Sequence, residues 1–493
     1  MIEKDLIIQL QQEQLDQQKK IIAGLSAIIS NNENIIDKLN ALVELLKARV
    51  DELENNQKKD SSNSSKPPSS DISKPPRTQS LRMASGKKPG GQKGHTGDTL
   101  SFNATPDEVV VHTVKQCRCC GKSLRSIQSA DYERRQVYDI PPIKMLVTEH
   151  RGEIKNCPHC QTANRAVFPE TISQPVQYGS NVAQLAVYFT QYQLLPYGRT
   201  SEIFKDLFGH SLSSSFLVNN NRRCADKLQP FITDLKAQLL KQPVLHADET
   251  GYYFEGQRNW LHTLCTDRYT YYAVHTKRGA EAMNDMGVLP NYTGRLVHDY
   301  WKSYYEFDNC KHRLCNTHHL RDLTFCHQVE ASSWAGQIKK LLIDLLDKVW
   351  VTKNQDASAT SLSKGQLQYW ESKYDKLMKE GQCLHPPPEK QKGKRGVTKK
   401  SKTQNMLERF INCKDQILDF AKDFQTPFSN NLAEQAIRMM KIKQKISGCF
   451  RSMQGAKDFA DIRSYIATAK KQGVDIMDAL KAAITGQPLE LKA

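Results

Sequence analysis

The sequence predicts a multidomain α+β protein, and three observations carry that reading. A heptad, apolar from Ile22 onward except at Asn32, runs through the first 57 positions, two Cys-x2-Cys pairs sit in a β-rich stretch, and from position 241 apolar β-type runs mix with helical ones. At 493 residues the chain is long for a single core and fits about two to four domains. Hydrophobic residues make up 39% and charged ones 25%, near globular norms with a slight polar excess, so some segments lie outside any core.

Residues 1–57 read as a coiled coil. Ile8, Leu15, Ile22, Ile29, Ile36, Val43 and Val50 occupy one seam position, and Gln11, Gln18, Leu25, Asn32, Leu39, Leu46 and Leu53 the other. β-branched residues at the first position with Leu at the second favour two parallel strands, hence a homodimer. Asn32 costs stability but can fix register. The alternative is an amphipathic helix packed on its own chain. Residues 58–100 are rich in Pro, Ser, Gly and Lys and read as a flexible basic linker.

Residues 101–175 form a small module with β-like runs at Val109–Val114 and Met145–Thr148 around the cysteine pairs. Residues 176–240 are helical. Thr200–Phe208, a turn at Gly209-His210 and Ser213–Lys227, beginning on a Ser cap, have the outline of a DNA-binding helix-turn-helix, or of an ordinary helical pair. Residues 241–330 turn to strands: Pro243–Leu245, Trp260–Cys265, Tyr269–His275 and Arg295–His298, with a helix at Ala280–Met286. That order fits the start of a ribonuclease-H-like mixed sheet. Helices return at 333–380, a disordered basic stretch occupies 386–402, and a last helical region spans about 430–485.

The net charge of +17, from 70 Lys and Arg against 53 Asp and Glu, points to a polyanionic partner, most simply nucleic acid, or to a basic enzyme with solvated lysines. No apolar run approaches the roughly 20 residues of a membrane helix, and the N-terminus has no secretion signal. The expectation is a cytoplasmic protein without a membrane partner. Its 13 cysteines then read as reduced thiols plus a metal site.

That metal site is Cys117, Cys120, Cys157 and Cys160. Four thiolates suit tetrahedral Zn²⁺ and leave no open position, so the ion is structural. Gly121 and Pro158 shape the two turns, Cys119 and His159 are bystanders, and His112 is a substitute ligand. Two disulfides or buried thiols are the alternative. A second constellation is acidic. Asp248, in PVLHADET, and Asp299, in GRLVHDYW, each follow an apolar strand. On adjacent strands their repulsion calls for a divalent cation such as Mg²⁺, although strand-end aspartates also serve as caps. Glu434 sits on a helix that Ser429 or Asn430 can cap, with Arg438 and Lys441 on its face. It can complete a metal site while Arg438, Lys441, Lys443 and Lys445 meet DNA phosphates, or it can form a surface pair with Arg438. Glu249 and Asp308 are rival acids. Cys315 and His318, near His312 and His319, are half a metal site or a buttress of the sheet.

Taken in order, these motifs resemble the insertion-sequence-66 family of transposases across nearly the whole chain. The resemblance rests on NSSKPPSSD at 63–71, GGQKGHTGD at 90–98, the CxxC pairs, HADET at 246–250, HDYWKSYY at 298–305, CNTHHLRDL at 315–323, SNNLAEQAIRMMKIKQKISGCF at 429–450 and RSYIATAKKQG at 463–473. It implies a ribonuclease-H-like catalytic domain, its first part at 241–330 and its second at 425–493, with a mostly helical insertion at 331–424. Asp248, Asp299 and Glu434 match the DDE triad. Gln435 departs from the Arg often found after the third acid. The resemblance further implies two-metal phosphoryl transfer with Mg²⁺ or Mn²⁺, cleaving and joining DNA at the element's terminal inverted repeats and at a target. Asp248 would bridge the ions, with Asp299 on one and Glu434 on the other. Companion proteins from the same element and association with the nucleoid belong to the same expectation. The rival readings are a zinc-containing DNA-binding regulator, a coiled-coil scaffold and a catalytically inactive copy.

Overall fold

The computed structural model describes residues 2–58, 63, 100–141, 143–254, 256–388, 398 and 400–491. Most of the 58–100 linker and of the 386–402 basic stretch therefore lies outside the described residues. Two compact units divide the chain: residues 79–223, and residues 1–78 together with 224–493. No helix among the described residues is long and apolar enough to cross a membrane.

Helix α1 (Ile2–Gln57) is unbroken over 56 residues. From Leu15 to Leu53 its seam residues are open to solvent, with Ile22 at 62%, Ile36 at 55% and Leu46 at 54% exposure.

In the unit 79–223, strands β1 (Ile154–Asn156) and β2 (Ala163–Arg165) form an antiparallel hairpin. The strands expected at Val109–Val114 and Met145–Thr148 are absent from the described residues. Their valines are exposed, and β propensity without a partner strand builds no ladder. Helix α2 (Ser180–Val187) runs into a π-helical turn, followed by α3 (Tyr197–Phe208) and α4 (Ser214–Lys227). Ala186, Phe204, Leu212 and Leu217 form the core here. Gly209 closes α3 in the left-handed region at φ 71°, and the Ser213 hydroxyl accepts from the Phe216 N–H at 3.1 Å. The helical pair thus starts and stops where its turn chemistry dictates.

The other unit holds α5 (Gln229–Leu240), β3 (Val244–Phe254), β4 (Gln257–Cys265), β5 (Thr270–His275), α6 (Ala280–Asp285), β6 (Arg295–His298) and β7 (Lys311–Leu314). Then come α7 (Asn316–Gln328), α8 (Ser333–Gln355), α9 (Lys364–Leu384), α10 (Lys402–Asn412), α11 (Lys414–Lys422), α12 (Asn431–Ser447), α13 (Met453–Lys471) and α14 (Ile476–Thr485). The five-stranded sheet has the order β5-β4-β3-β6-β7. β3, β4 and β5 run antiparallel to one another, while β6 and β7 run parallel to β3. Strand β7, KHRL, was not anticipated, because its polar residues carry no apolar signal.

Helix α12 packs against β3 and β4, and α13 against edge strand β5. Edge N–H groups need partners. The Thr270 N–H donates to Thr468 Oγ1 at 3.1 Å and the Tyr272 N–H to Ser464 Oγ at 2.8 Å, so α13 covers that edge with hydroxyls. Helices α7 to α11 make a core of their own around Trp334, Ile338, Leu342, Tyr374, Phe410 and Ile417. Two ion pairs bring this core back to the sheet, Arg313 with Asp419 and Arg295 with Asp423.

Candidate active site

Asp248 and Asp299 come together through strand register. The parallel pairs Val244↔Arg295, Leu245↔Leu296 and His246↔Val297 all share one offset of 51 positions, from 244 to 295. The two aspartates share it too, from 248 to 299. Neighbouring strands lie about 4.8 Å apart, so these residues sit side by side where the β3–β6 ladder ends. Contrary to the expectation of a strand end, β3 itself continues past Asp248 to Phe254 along β4. Both carboxyls are held above the usual carboxylate range. Burial is the larger cause for each; Glu249 and Asp299 add negative charge at Asp248, and Glu249 does so at Asp299. Each keeps one backbone donor: the Glu249 N–H reaches Asp248 Oδ1 at 2.8 Å, and the Trp301 N–H reaches Asp299 Oδ1 at 3.0 Å.

Glu434 arrives on the first turn of α12. Asn430 is the cap residue, but its side chain makes no cap hydrogen bond. Instead its Oδ1 lies 2.9 Å from His246 Nδ1 and its Nδ2 donates to the Ala247 carbonyl at 2.7 Å. Its backbone N–H donates to Cys315 Sγ at 3.1 Å. Tyr272 adds a bond from its hydroxyl to the Ala436 carbonyl at 2.9 Å. The helix is therefore moored to β3, to β5 and to the start of α7.

Cys315 caps α7, and its N–H donates to the His298 carbonyl at 2.9 Å. His318, one turn on, has Nδ1 3.7 Å from Glu434 Oε1, and Cys315 Sγ is 3.9 Å from the same oxygen. Burial works against a charged His318, yet Cys315, Glu434 and Asp299 outweigh it and push the imidazole up to about 10. His318 also acts on Asp248 and Asp299, so one ring is the electrostatic neighbour of all three candidate acids. His312 and His319 stand elsewhere: His312 Nδ1 is 3.0 Å from His298 Nε2, and His319 Nδ1 is 3.1 Å from Asn316 Oδ1.

The rival acids have other surroundings. Glu249 accepts from the Tyr304 hydroxyl at 2.6 Å and from Arg278 Nε at 2.8 Å. Arg278 in turn lies 3.9 Å over the Trp301 ring. Asp308 is exposed in a turn. Among the described residues no ion pair joins Glu434 to Arg438. Arg438, Lys441 and Lys445 are exposed on α12. Lys443 is tucked 5.1 Å from the Phe450 centroid and 5.4 Å from that of Phe459, and burial pushes its ammonium down to about 8. One residue escaped the sequence reading. Arg258 is exposed on β4 and leans on Gly251, where a Cβ would come within 2.8 Å of its Nε. Lys441 donates to the Gly251 carbonyl at 2.9 Å, so two cations meet there.

In the unit 79–223, the two Cys-x2-Cys pairs form matching turns. The Cys117 N–H donates to the Lys122 carbonyl and the Cys157 N–H to the Thr162 carbonyl, both at 2.9 Å. Gly121 and Gln161 take positive φ, 71° and 59°. Hydrogen bonds from the Cys120 and Cys119 backbone lower the Cys117 thiol, and Thr162 lowers that of Cys160. Such turns favour thiolates, the form that ligates zinc.

Three family models match the chain. One described as "Transposase IS66 family" matches residues 176–458, and one described as "zinc-finger binding domain of transposase IS66" matches residues 115–161. A family of unknown function matches residues 9–101. No curated protein matches the chain.

The geometry predicts a particular weakness at Asn430. Asn430→Ala strands the Ala247 carbonyl and His246, at about 1–3 kcal/mol for each buried group left unsatisfied. Urea unfolding followed by amide exchange of α12 measures this; α12 exchanging as slowly as in the wild type would remove Asn430 as its mooring.

Proposed function

The chain belongs to the insertion-sequence-66 transposase family, and from that premise we propose that it cuts and joins DNA with a DDE triad of Asp248, Asp299 and Glu434. The observation that carries the reading is the shared offset of 51 positions, which brings two partly buried carboxyls together just beyond a pair of parallel strands. The strand order, an antiparallel β3-β4-β5 meander continued by parallel β6 and β7, supports a ribonuclease-H-like core interrupted by the helices of 331–424. We propose the remaining division as coiled coil at 1–57, basic linker at 58–100, zinc module at 101–175 and helical DNA-binding region at 176–240, with the core resuming at 425–493.

The donor set fits a hard divalent cation, since two adjacent carboxyls raised by burial and by neighbouring negative charge are what such an ion relieves. Mg²⁺ or Mn²⁺ there would supply activation of a water or 3′-hydroxyl and stabilisation of the developing phosphoryl charge. The chain's own part is positioning. Backbone N–H groups fix one oxygen of each aspartate. Asn430 and Tyr272 hold the α12 turn that bears Glu434. Arg258, Arg438, Lys441 and Lys445 present exposed cations to phosphates along the same helix and strand. Lys443 is withdrawn from that role by its seat on Phe450 and Phe459.

Three experiments test this reading. On a supercoiled plasmid carrying the gene's flanking DNA, the protein with Mg²⁺ should cut at a discrete position. Asp248→Asn should lower that rate at least ~100-fold, the scale of losing a principal electrostatic contribution to catalysis. Mapping 3′ ends reads both, and specific binding without cutting, even with Mn²⁺ and companion proteins, would overturn it. Cys157→Ser should remove one zinc per chain, read by atomic emission, because Cys117, Cys120, Cys157 and Cys160 hold the structural ion. Unaltered zinc content would reassign those ligands. The exposed seam of α1 calls for a second copy of itself, so Leu39→Asp should convert a dimer into a monomer in light scattering. A wild-type monomer would refute pairing through α1.

A further inference from the structure

We propose that Cys315, His318 and Glu434 form a second metal site, one for a soft divalent ion such as Zn²⁺. Their ligand atoms all lie within 4.8 Å of one another. Two of the separations are 3.7 Å, from His318 Nδ1 to Glu434 Oε1, and 3.9 Å, from Cys315 Sγ to the same oxygen. The edges of a tetrahedron with Zn–S of ~2.3 Å and Zn–N or Zn–O of ~2.0 Å are ~3.3–3.5 Å. Movements of a few tenths of an ångström therefore close these two contacts on an ion.

The donor chemistry selects the metal. A sulfur and an imidazole are poor ligands for Mg²⁺ and good ones for Zn²⁺. His318 Nδ1 is buried and has no hydrogen-bond partner among the described residues, and it faces the cluster 3.7 Å from Glu434 Oε1. Cys315 is buried at the start of α7. Its sulfur already accepts the Asn430 N–H, an outer hydrogen bond of the kind that orients metal ligands. His318 and Glu434 keep 20% and 19% of their side-chain surface exposed, so an ion can enter from solvent. Three protein ligands leave the fourth position to water.

This site shares Glu434 with the proposed triad, and the consequence for activity rests on that reading. A soft ion on Cys315 and His318 engages the carboxylate that Asp248 and Asp299 need. Zinc at this position then acts as a brake that competes with the catalytic cation for one side chain.

The test uses the full-length chain, dialysed to equilibrium against micromolar Zn²⁺ with excess Mg²⁺, and counts zinc per chain. Cys315→Ala and His318→Gln should each bind one zinc fewer than wild type, and Cys310→Ala should bind the same number as wild type. The loss should add to that of Cys157→Ser. Circular dichroism checks folding; if Cys315→Ala does not fold, the partly exposed His318→Gln decides. Wild-type zinc content in a folded His318→Gln overturns the site. In a parallel cleavage assay at fixed Mg²⁺, added zinc should slow wild-type cutting while leaving unchanged whatever cutting His318→Gln retains. A chain that cuts no DNA leaves the zinc count to decide the site alone. Cutting with an unaltered zinc count removes the site and keeps the triad.

Discussion

The buried side chain of Asn430 joins segments that lie far apart in the sequence. Its amide spans His246 and the Ala247 carbonyl on β3, while its N–H reaches the sulfur of Cys315 at the start of α7. Each of these groups would be costly to bury unpaired, so the three segments meet in one arrangement or leave polar atoms stranded. That condition sets the origin of α12, and everything α12 carries follows from it. Glu434 is one turn along, and Arg438 and Lys441 lie beyond on the outward side.

Electrostatics then explains why such a joint is needed. Asp248, Asp299 and Glu249 crowd one corner of the sheet. Glu249 is compensated within the protein by Arg278 and Tyr304, and Arg278 is itself packed on Trp301. The other two have the His318 ring as an electrostatic neighbour but no such ion pair among the described residues, and burial and repulsion raise both. A fold driven only by stability would separate them or supply a second arginine. Keeping them adjacent makes sense as the binding of a cation, and the structural acid Glu249 is distinguished from the proposed metal ligands by the partners it has.

Much of this was legible in the sequence, where the signal was local. The heptads gave α1, the apolar runs gave β3 to β6, and the Gly209 turn with the Ser213 cap gave the helical pair. HADET and HDYW could be read as a pair of acids because apolar strands lead into them, although β3 runs on past Asp248 to Phe254. What escaped depends on contacts across the chain. Strand β7 is polar and exists because β6 pairs with it. Asn430 looked like an ordinary cap, since nothing nearby reveals that its amide turns to β3. Lys443 looked like its basic neighbours until Phe450 and Phe459 folded back over it. The valines of 109–114 have strand propensity but no partner among the described residues, and propensity alone does not decide.

The spacing of 135 positions between Asp299 and Glu434 needs a physical account too. Loop-closure entropy rises only logarithmically with length, by about 0.6 kcal/mol per doubling, so a long excursion is tolerable if it does not disturb the sheet. Here the excursion folds on a core of its own around Trp334 and Phe410. Its end is returned by Asp419 on α11 and Asp423 just past that helix, which pair with Arg313 and Arg295 of β7 and β6. The Asn316 N–H then takes the Phe428 carbonyl at 3.0 Å, two residues before Asn430. The chain is thus handed from strand to helix core, from helix core to strand arginines, and from there to the joint at Asn430. Because each handover is fixed on β6, β7 or the residues that follow them, the position of Glu434 depends on the sheet and not on the length of what was inserted.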